Sequence, residues 1–421
     1  MNINHIQFMR IIIIGAGPGG YETAVDAAKR GMEVTLITDG ELGGTCLNEG
    51  CIPTKTFVHY AENNTCLPSA SLNSLQERKR EVISQLQAGI ESLLRNKLIT
   101  LVKGHAHFIS NDTVAVGDTQ YTADHIIIAT GSESTILPIK GSERCLTSKE
   151  MLELREIPKS LCVIGGGVIG LEFANIFNKL GSEVSILEYC PQILPHFDTD
   201  LCKRVKQHLT KQGINIQVGY KVEDIDAIEA ETVLMSVGRH PNVDGLGLEN
   251  TSVEYSKRGI TVDDNMQTSV PSIYAIGDVN TRMMLAHVAT FQGRHALNHI
   301  EGKTDNIRFD IVPSAVFITP EVATVGLTEE DCKERGIKIK AHKSFFRANG
   351  KAVSMGETDG YFKLLSDEES GRILGAHMFG AHSSDIIHEI AALMNMQATV
   401  SDLHDMIHAH PTLAEVVQNS I

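Results

Sequence analysis

Two cysteines stand five residues apart in the stretch Leu42-Gly-Gly-Thr-Cys46-Leu-Asn-Glu-Gly-Cys51-Ile-Pro-Thr-Lys55. On a regular helix that spacing is a rise of about 7.5 Å, beyond the roughly 7 Å between Cα atoms that an unstrained disulfide allows. A bridge therefore needs a locally distorted helix, which Gly50 permits. Closing so short a loop restricts the unfolded chain by only about 2 kcal/mol, against about 5 for a 100-residue loop. As a structural staple the pair is poor. Beside a bound redox cofactor it is an exchangeable dithiol, in which one thiolate attacks a disulfide and its partner resolves the mixed disulfide. Spacing alone leaves open the plainer reading of two thiols carried on one helix. A metal pair fits less well, because zinc-binding cysteines usually sit two to four residues apart and no second Cys or His pair is arranged to complete the site. Cys66, Cys145, Cys162, Cys190, Cys202 and Cys332 are scattered singly and read as core or surface thiols.

A dithiol needs an electron carrier, and the segment lies between two copies of one supersecondary unit. Arg10 to Ile14 reads as a buried parallel strand, followed by Gly15-Ala-Gly17-Pro-Gly-Gly20, a helix to about Arg30, and a strand from Val34 to Ile37. The second copy runs Leu161 to Ile164, then Gly165-Gly-Gly167-Val-Ile-Gly170, a helix to about Leu180, and a strand from Glu183 to Leu187. In each, the first glycine permits the tight turn, the second lets backbone approach a pyrophosphate, and the third allows close helix-strand packing. The helix N-terminus then offers N–H groups and a positive dipole end to the phosphates. A lone Gly-rich turn means little; a strand before, a helix after and a second copy imply two dinucleotides.

An acidic residue about 20 positions further on should accept from a ribose hydroxyl. Glu188 lies eighteen residues beyond Gly170 and favours NAD over NADP, whose 2′-phosphate a carboxylate repels. The same offset in the first unit lands on Thr38, with Asp39 next, so Asp39 or the Thr38 hydroxyl is expected to take over the ribose contact.

The length of 421 residues suggests about three domains. With 42% apolar and 21% charged residues the composition is that of a globular chain with a sizeable core, which excludes a small disulfide-stapled module and extensive disorder. A net charge of −15 without a dense basic cluster makes nucleic acid and anionic membranes poor partners. The N-terminal apolar run, Ile11 to Ile14, is far shorter than the roughly 20 residues of a membrane span and leads into a Gly-rich turn rather than a cleavage site, so the expected location is cytoplasmic. Met9 precedes the first strand, and residues 1 to 8 read as a leader or a misassigned start.

The chain resembles the class I pyridine nucleotide-disulfide oxidoreductases, most closely their dihydrolipoamide-oxidising branch. The Gly-Gly-Thr-Cys-Leu-Asn-x-Gly-Cys-Ile-Pro-Thr-Lys stretch carries the likeness, which extends through Ala129-Thr-Gly131, Gly238-Arg-His-Pro-Asn242, Tyr274-Ala-Ile-Gly-Asp278, Leu285-Ala-His287, Pro320-Glu-Val-Ala323 and His408-Ala-His-Pro-Thr412. The fold it implies is α/β: two Rossmann-like dinucleotide-binding domains plus a C-terminal α+β dimerisation domain. The expected boundaries are a discontinuous FAD domain over 1–145 and 263–310, an NAD domain over 146–262 and an interface domain over 311–421.

The resemblance also implies roles. Cys46 corresponds to the thiol that exchanges with the lipoyl disulfide and Cys51 to the thiol facing the flavin; Lys55 and Glu172 correspond to a pair beside the flavin and nicotinamide rings. FAD contacts are expected from Gly15, Gly17, Gly20, Asp39, Gly44, Thr45, Lys55, Thr130, Gly131, Asp278 and Ala286, and NAD contacts from Gly165, Gly167, Gly170, Glu188 and Gly238. Read locally, Asp278 is also a possible helix N-cap. His410 and Glu415 match the family dyad, in which the imidazole takes a thiol proton and the carboxylate orients it. The same residues also read as a capping box, with Thr412 as N-cap and Glu415 at N3. The resemblance further makes His410-Pro411 a candidate cis peptide.

The family implies a homodimer with shared active sites, the histidine serving the dithiol of the other subunit. The expected reaction is oxidation of protein-bound dihydrolipoamide to lipoamide, with NAD+ as acceptor, by way of a Cys46/Cys51 disulfide and FAD. The implied partner is the lipoyl domain of a 2-oxo acid dehydrogenase complex or of a glycine cleavage system. Alternatives are a glutathione-reductase-like NAD(P)H-dependent disulfide reductase and a dithiol flavoprotein sensor with little turnover. Two departures stand out besides Thr38: a short stretch from Gln217 to Thr232, suggesting a trimmed β-meander, and little tail beyond Glu415.

Overall fold

The structure is a computed structural model that describes residues 9–63 and 72–421. Residues 1–8 and Cys66, on which two of the expectations fall, lie outside them. The chain divides into two compact units, Met1–Thr56 with Ser74–Thr135 and Gly238–Ile307, and Phe57–Asn73 with Ile136–Val237 and Arg308–Ile421.

The first unit is built on a parallel sheet whose strands lie in the order Ile273–Ala275, His125–Ile128, Arg10–Ile14, Glu33–Thr38, Ile99–Lys103. Ile11 to Ile14 are all buried, as expected of a central strand covered on both faces. Successive connections leave that strand in opposite directions, which creates a crevice at the carboxyl ends of the strands. Helix Pro18–Lys29 packs closely on helix Ala286–Ile300 because small residues meet: a Cβ on Gly19 would lie 3.1 Å from that of Ala289.

The second unit holds two sheets. One is parallel, in the order Asn215–Val218, Glu183–Glu188, Ser160–Ile164, Thr232–Met235, Cys145–Leu146. The other is antiparallel, in the order Ser314–Val316, Val322–Gly326, Ile373–Phe379, Tyr361–Asp367, Ile339–Phe345, with helix Ser383–Asn395 buried against it through Ile386, Ile387 and Ile390. A buried ion cluster sits inside this unit. Lys363, with a side chain 0% exposed, reaches Asp198 at 2.5 Å and Glu329 at 2.8 Å. Between Val218 and Thr232 the parallel sheet gains only an isolated bridge from Asp224 to Lys140.

In the compact units the chain joins the first again at Gly238, where Arg239–Pro241 pairs antiparallel with Ser132–Ser134. The second unit begins at Ile136, where Leu137 already donates to the Met235 sulfur, and it takes in 57–73 as well. Ile136–Val237 and Arg308–Ile421 belong to the same compact unit.

Candidate active site

The dithiol is seated on the first Gly-rich turn. Gly43 N–H donates to Ala16 O at 2.9 Å, and a Cβ on Gly44 would fall 2.7 Å from Gly17 Cα. Gly15 and Gly20 leave no room for a side chain: a Cβ on Gly20 would overlap Gly15 O at 1.8 Å. Helix Pro18–Lys29 starts here with proline in its first turn and no side chain capping it, so its first N–H groups face outward.

Cys46 and Cys51 do not share a helix, contrary to the simplest reading of their spacing. Cys46 lies in the short helix Gly44–Asn48, and Cys51 opens a separate helix, Cys51–Asn63. The break falls at Glu49 and Gly50, where a Cβ on Gly50 would crowd Thr45 O at 2.9 Å. That break lets the two thiols meet in a hydrogen bond. The bond to Cys51 is the first cause holding the Cys46 thiol far above its ordinary range, burial is the second, and Lys55 pulls the other way. Cys51 is the first residue of helix Cys51–Asn63. It is exposed while Cys46 is half-buried, so exposure by itself does not make Cys46 the attacking thiol.

Sequence reasoning passed over the groups that brace this turn. Asn48 donates to the carbonyls of Leu42 and Gly44 at 3.0 and 2.9 Å, and Gln87 donates to Asn48 Oδ1 at 2.8 Å. Tyr21, the residue after Gly20, has its phenol pushed up to about 12 by burial and Glu22, with Cys46 adding to the effect. Asn48 stood within the dithiol motif without being given a role, and Gln87 carried no motif signal.

Asp278 is not an N-cap. It lies within the 3₁₀ turn Gly277–Asn280, whose cap position is Ile276, and Asp278 Oδ2 accepts from Ser132 Oγ at 2.5 Å. Ser132 in turn accepts from Arg239 Nε at 2.7 Å, so a three-residue chain orients the carboxylate. Thr130 Oγ1 donates to Asn242 O at 2.8 Å and Gly131 O accepts from Asn242 N–H at 3.0 Å, which joins the Ala-Thr-Gly and Gly-Arg-His-Pro-Asn motifs. Ala286 is the first residue of helix Ala286–Ile300.

The first ribose position is divided. The Thr38 hydroxyl is buried and engaged with Gly40, while Asp39 is exposed and lies 2.9 Å from His105 Nδ1. His105 Nε2 stands 3.0 Å from Gly245 O, and the bonds to Asp39 and Gly245 raise the pKa of the imidazole.

In the second unit the turn repeats the first: Gly165 has φ +105, and a Cβ on Gly170 would fall 2.0 Å from Gly165 O. Gly167 is the N-cap of helix Val168–Lys179, and a Cβ there would meet nothing within 4 Å. Glu188 is 6% exposed and accepts from Gly166 N–H at 2.5 Å and Cys190 N–H at 2.6 Å, which ties the turn to the strand end. Gly238 falls instead in the first unit, where its carbonyl accepts from Thr135 N–H at 3.0 Å. Glu172, 3% exposed, accepts from Phe317 N–H at 3.0 Å.

The C-terminal stretch forms the dyad and half of the capping box together. His410 Nδ1 lies 2.9 Å from Glu415 Oε1, while Glu415 Oε2 accepts from Thr412 N–H at 2.8 Å. Those two contacts hold the Glu415 carboxyl below its usual range. Thr412 is no N-cap, since its hydroxyl donates to Ala409 O and the helix Glu415–Gln418 starts after Ala414. His410-Pro411 is cis, as is Thr319-Pro320. The imidazole is 77% exposed.

Of the other cysteines, Cys162, Cys202 and Cys332 are buried, and Cys145 and Cys190 are half-buried. Among the described residues no three His, Cys, Asp or Glu side chains gather into a metal-holding group, and no helix is long and apolar enough to cross a membrane.

Residues 9–293 match a family model described as pyridine nucleotide-disulphide oxidoreductase, and residues 312–421 match the dimerisation domain of that family. A dihydrolipoyl dehydrogenase of Chlamydia muridarum is 41% identical over 96% of this chain and 94% of its own length. One from Bacillus subtilis is 39% identical over 97% and 95%. Among solved structures, the HOCl-induced flavoprotein disulfide reductase RclA from Escherichia coli aligns with a TM-score of 0.90 at 31% identity, over 98% of this chain and 99% of that one. LpdA from Mycobacterium tuberculosis aligns with a TM-score of 0.90 at 26% identity, over 98% of both.

Proposed function

The chain belongs to the pyridine nucleotide-disulphide oxidoreductases, flavoprotein enzymes that use FAD and NAD(H), and from that membership we propose that it oxidises protein-bound dihydrolipoamide to lipoamide with NAD+ as acceptor. The observation that carries the reading is the hydrogen-bonded Cys46 and Cys51 pair seated on the Gly15 to Gly20 turn. The names of the relatives support the substrate, and the buried Glu188 carboxylate supports NAD over NADP.

The residues present fit both cofactors. Side-chain-free glycines at 15, 17 and 20 with an uncapped helix N-terminus suit the FAD pyrophosphate, and Ser132 holds Asp278 ready for a ribitol hydroxyl. Gly165, Gly167, Gly170 and Glu188 suit NAD in the same way. When bound, FAD supplies the two-electron chemistry that links a dithiol to a nicotinamide.

The chain's own residues do the rest. In the proposed homodimer His410, oriented by Glu415, takes the proton from a dihydrolipoyl thiol of substrate bound at the opposite subunit. The new thiolate attacks Cys46 of the Cys46–Cys51 disulfide and Cys51 leaves as thiolate; the second substrate sulfur then displaces Cys46. Lipoamide departs as the disulfide, and the enzyme holds two reduced cysteines. Lys55 and Glu172 are proposed to stand beside the rings. The partner is proposed to be the lipoyl domain of a 2-oxo acid dehydrogenase complex or a glycine cleavage system.

The test is steady-state NADH formation from dihydrolipoamide by purified, flavin-loaded protein, repeated with NADP+. Flavin-loaded protein that makes no NADH removes this reading. The second reading, an NAD(P)H-dependent disulfide reductase, is favoured by the likeness to the Escherichia coli disulfide reductase and would show as NAD(P)H consumption with disulfides other than lipoamide.

A further inference from the structure

The histidine that precedes the proposed base by two residues is itself paired with a carboxylate. His408 Nε2 lies 2.8 Å from Glu389 Oε1, and the His408 side chain is 6% exposed. Its other nitrogen, Nδ1, is buried with no hydrogen-bond partner among the described residues. The carboxylate can only accept, so Nε2 carries a proton and donates to Glu389. The pair ties the backbone at His408 to the helix that carries Glu389.

The backbone it fixes is the irregular stretch between helices Val400–His404 and Glu415–Gln418. Most ties within that stretch are local: Gln418 donates to Met406 O at 3.0 Å, and Thr412 Oγ1 donates to Ala409 O at 2.8 Å. Two ties reach other elements of the same unit, and they bracket His410. After it, buried Asn349 donates to Thr412 O at 3.0 Å. Before it, His408 is held by Glu389 on helix Ser383–Asn395, which is anchored in the core by Ile386, Ile387 and Ile390.

We propose that Glu389 and His408 form a second carboxylate–imidazole pair, whose task is to position His410. The inference rests on the reading of His410 as the base. A reacting group displaced by about 1 Å can lose about 100-fold in rate, so the pair acts on turnover and not on substrate affinity.

The experiment compares wild type with Glu389→Ala, Glu389→Gln and His408→Gln as flavin-loaded proteins. In Glu389→Ala, kcat for dihydrolipoamide oxidation falls about 10- to 100-fold with KM within twofold. Glu389→Gln, whose amide oxygen still accepts from Nε2–H, keeps most activity. NADH oxidation by ferricyanide, which needs no thiol base, stays unchanged in every variant. Unchanged kcat in Glu389→Ala, or equal losses in both assays, overturns the proposal. If wild type forms no NADH from dihydrolipoamide, the proposed function falls and a crystal structure of Glu389→Ala decides this one: a displaced His410 supports it, and an intact bond from His410 to Glu415 overturns it.

Discussion

Gly44, the first residue of the helix that carries Cys46, lies against Gly17 so closely that a Cβ added to it would stand 2.7 Å from Gly17 Cα. Gly44 also has φ +57, which disfavours any L side chain. The redox pair and the phosphate turn are therefore one piece of structure. Gly44→Ala is expected to cost both, giving protein with less than half the wild-type flavin content and a matching loss of activity. Full flavin in the visible spectrum with full activity would separate the two features.

The proposed base would be supplied across a dimer, which would make the active site a shared object. Cys46→Ser and His410→Gln should each be nearly inactive, with His410→Gln reduced about 10²- to 10⁴-fold. Co-expressed, they should regain part of the lost activity in heterodimers that carry one intact site. Stable heterodimers with no regained activity would count against sharing.

Glu415 gives a pH signature. Its carboxyl lies below the usual range, held down first by Thr412 N–H and then by His410. A carboxyl lowered on folding adds stability above its unfolded value, near about 4.3, and loses it as pH falls through the folded value. The melting temperature of wild type should thus exceed that of Glu415→Gln at pH 7 and converge with it in acid. A difference independent of pH would show that the charge is irrelevant.

Lys363 is fully buried between Asp198 and Glu329. Burial alone would raise the Asp198 carboxyl, but His377 and Lys363 outweigh it and hold the group low. Lys363→Ala leaves Asp198 buried beside a missing cation and should cost about 3–5 kcal/mol. Lys363→Met, which fills the space, should still be destabilised but keep better packing. Because Asp198 is lowered, the stability it contributes is present above its unfolded value and lost in acid, which urea titrations at pH 7 and in acid would reveal.

Glu188 closes the second turn and is the residue proposed to meet the NAD ribose. Removing a charge-assisted hydrogen bond costs about 1.5–3 kcal/mol, so Glu188→Ala should raise KM for NAD+ about 10- to 100-fold while KM for NADP+ rises less. An unchanged preference for NAD+ would place specificity elsewhere.

The strand-turn-helix units were legible because their signal is local. A run from Ile11 to Ile14 must be buried, and glycine at fixed offsets is the only residue that fits a turn on which a Cβ would meet backbone oxygen. The close spacing of Cys46 with Cys51 and of His410 with Glu415 was visible for the same reason, but their expected roles came from the resemblance. The capping reading of Thr412 misled because the same Glu415 serves two partners, and sequence spacing cannot tell which hydroxyl turns away.

Long-range polar contacts left no such trace. Asn48, Arg239 and His408 stand inside sequence motifs and Gln87, Ser132 and Glu389 do not, yet for all six the bonding partner lies 19 to 146 positions away and cannot be read from spacing. The sequence by itself carried two strand–glycine turn–helix units, because these depend on spacing and backbone sterics, while the roles expected of the cysteine pair and of His410 came from the resemblance. Only the tertiary structure decided that the cysteines lie on separate helices, that the chain returns to the first unit at Gly238, and which side chains hold Asp278 and the stretch bearing His410. Those outcomes depend on which surfaces meet, and a hydrogen bond between distant residues has no period to read along the chain.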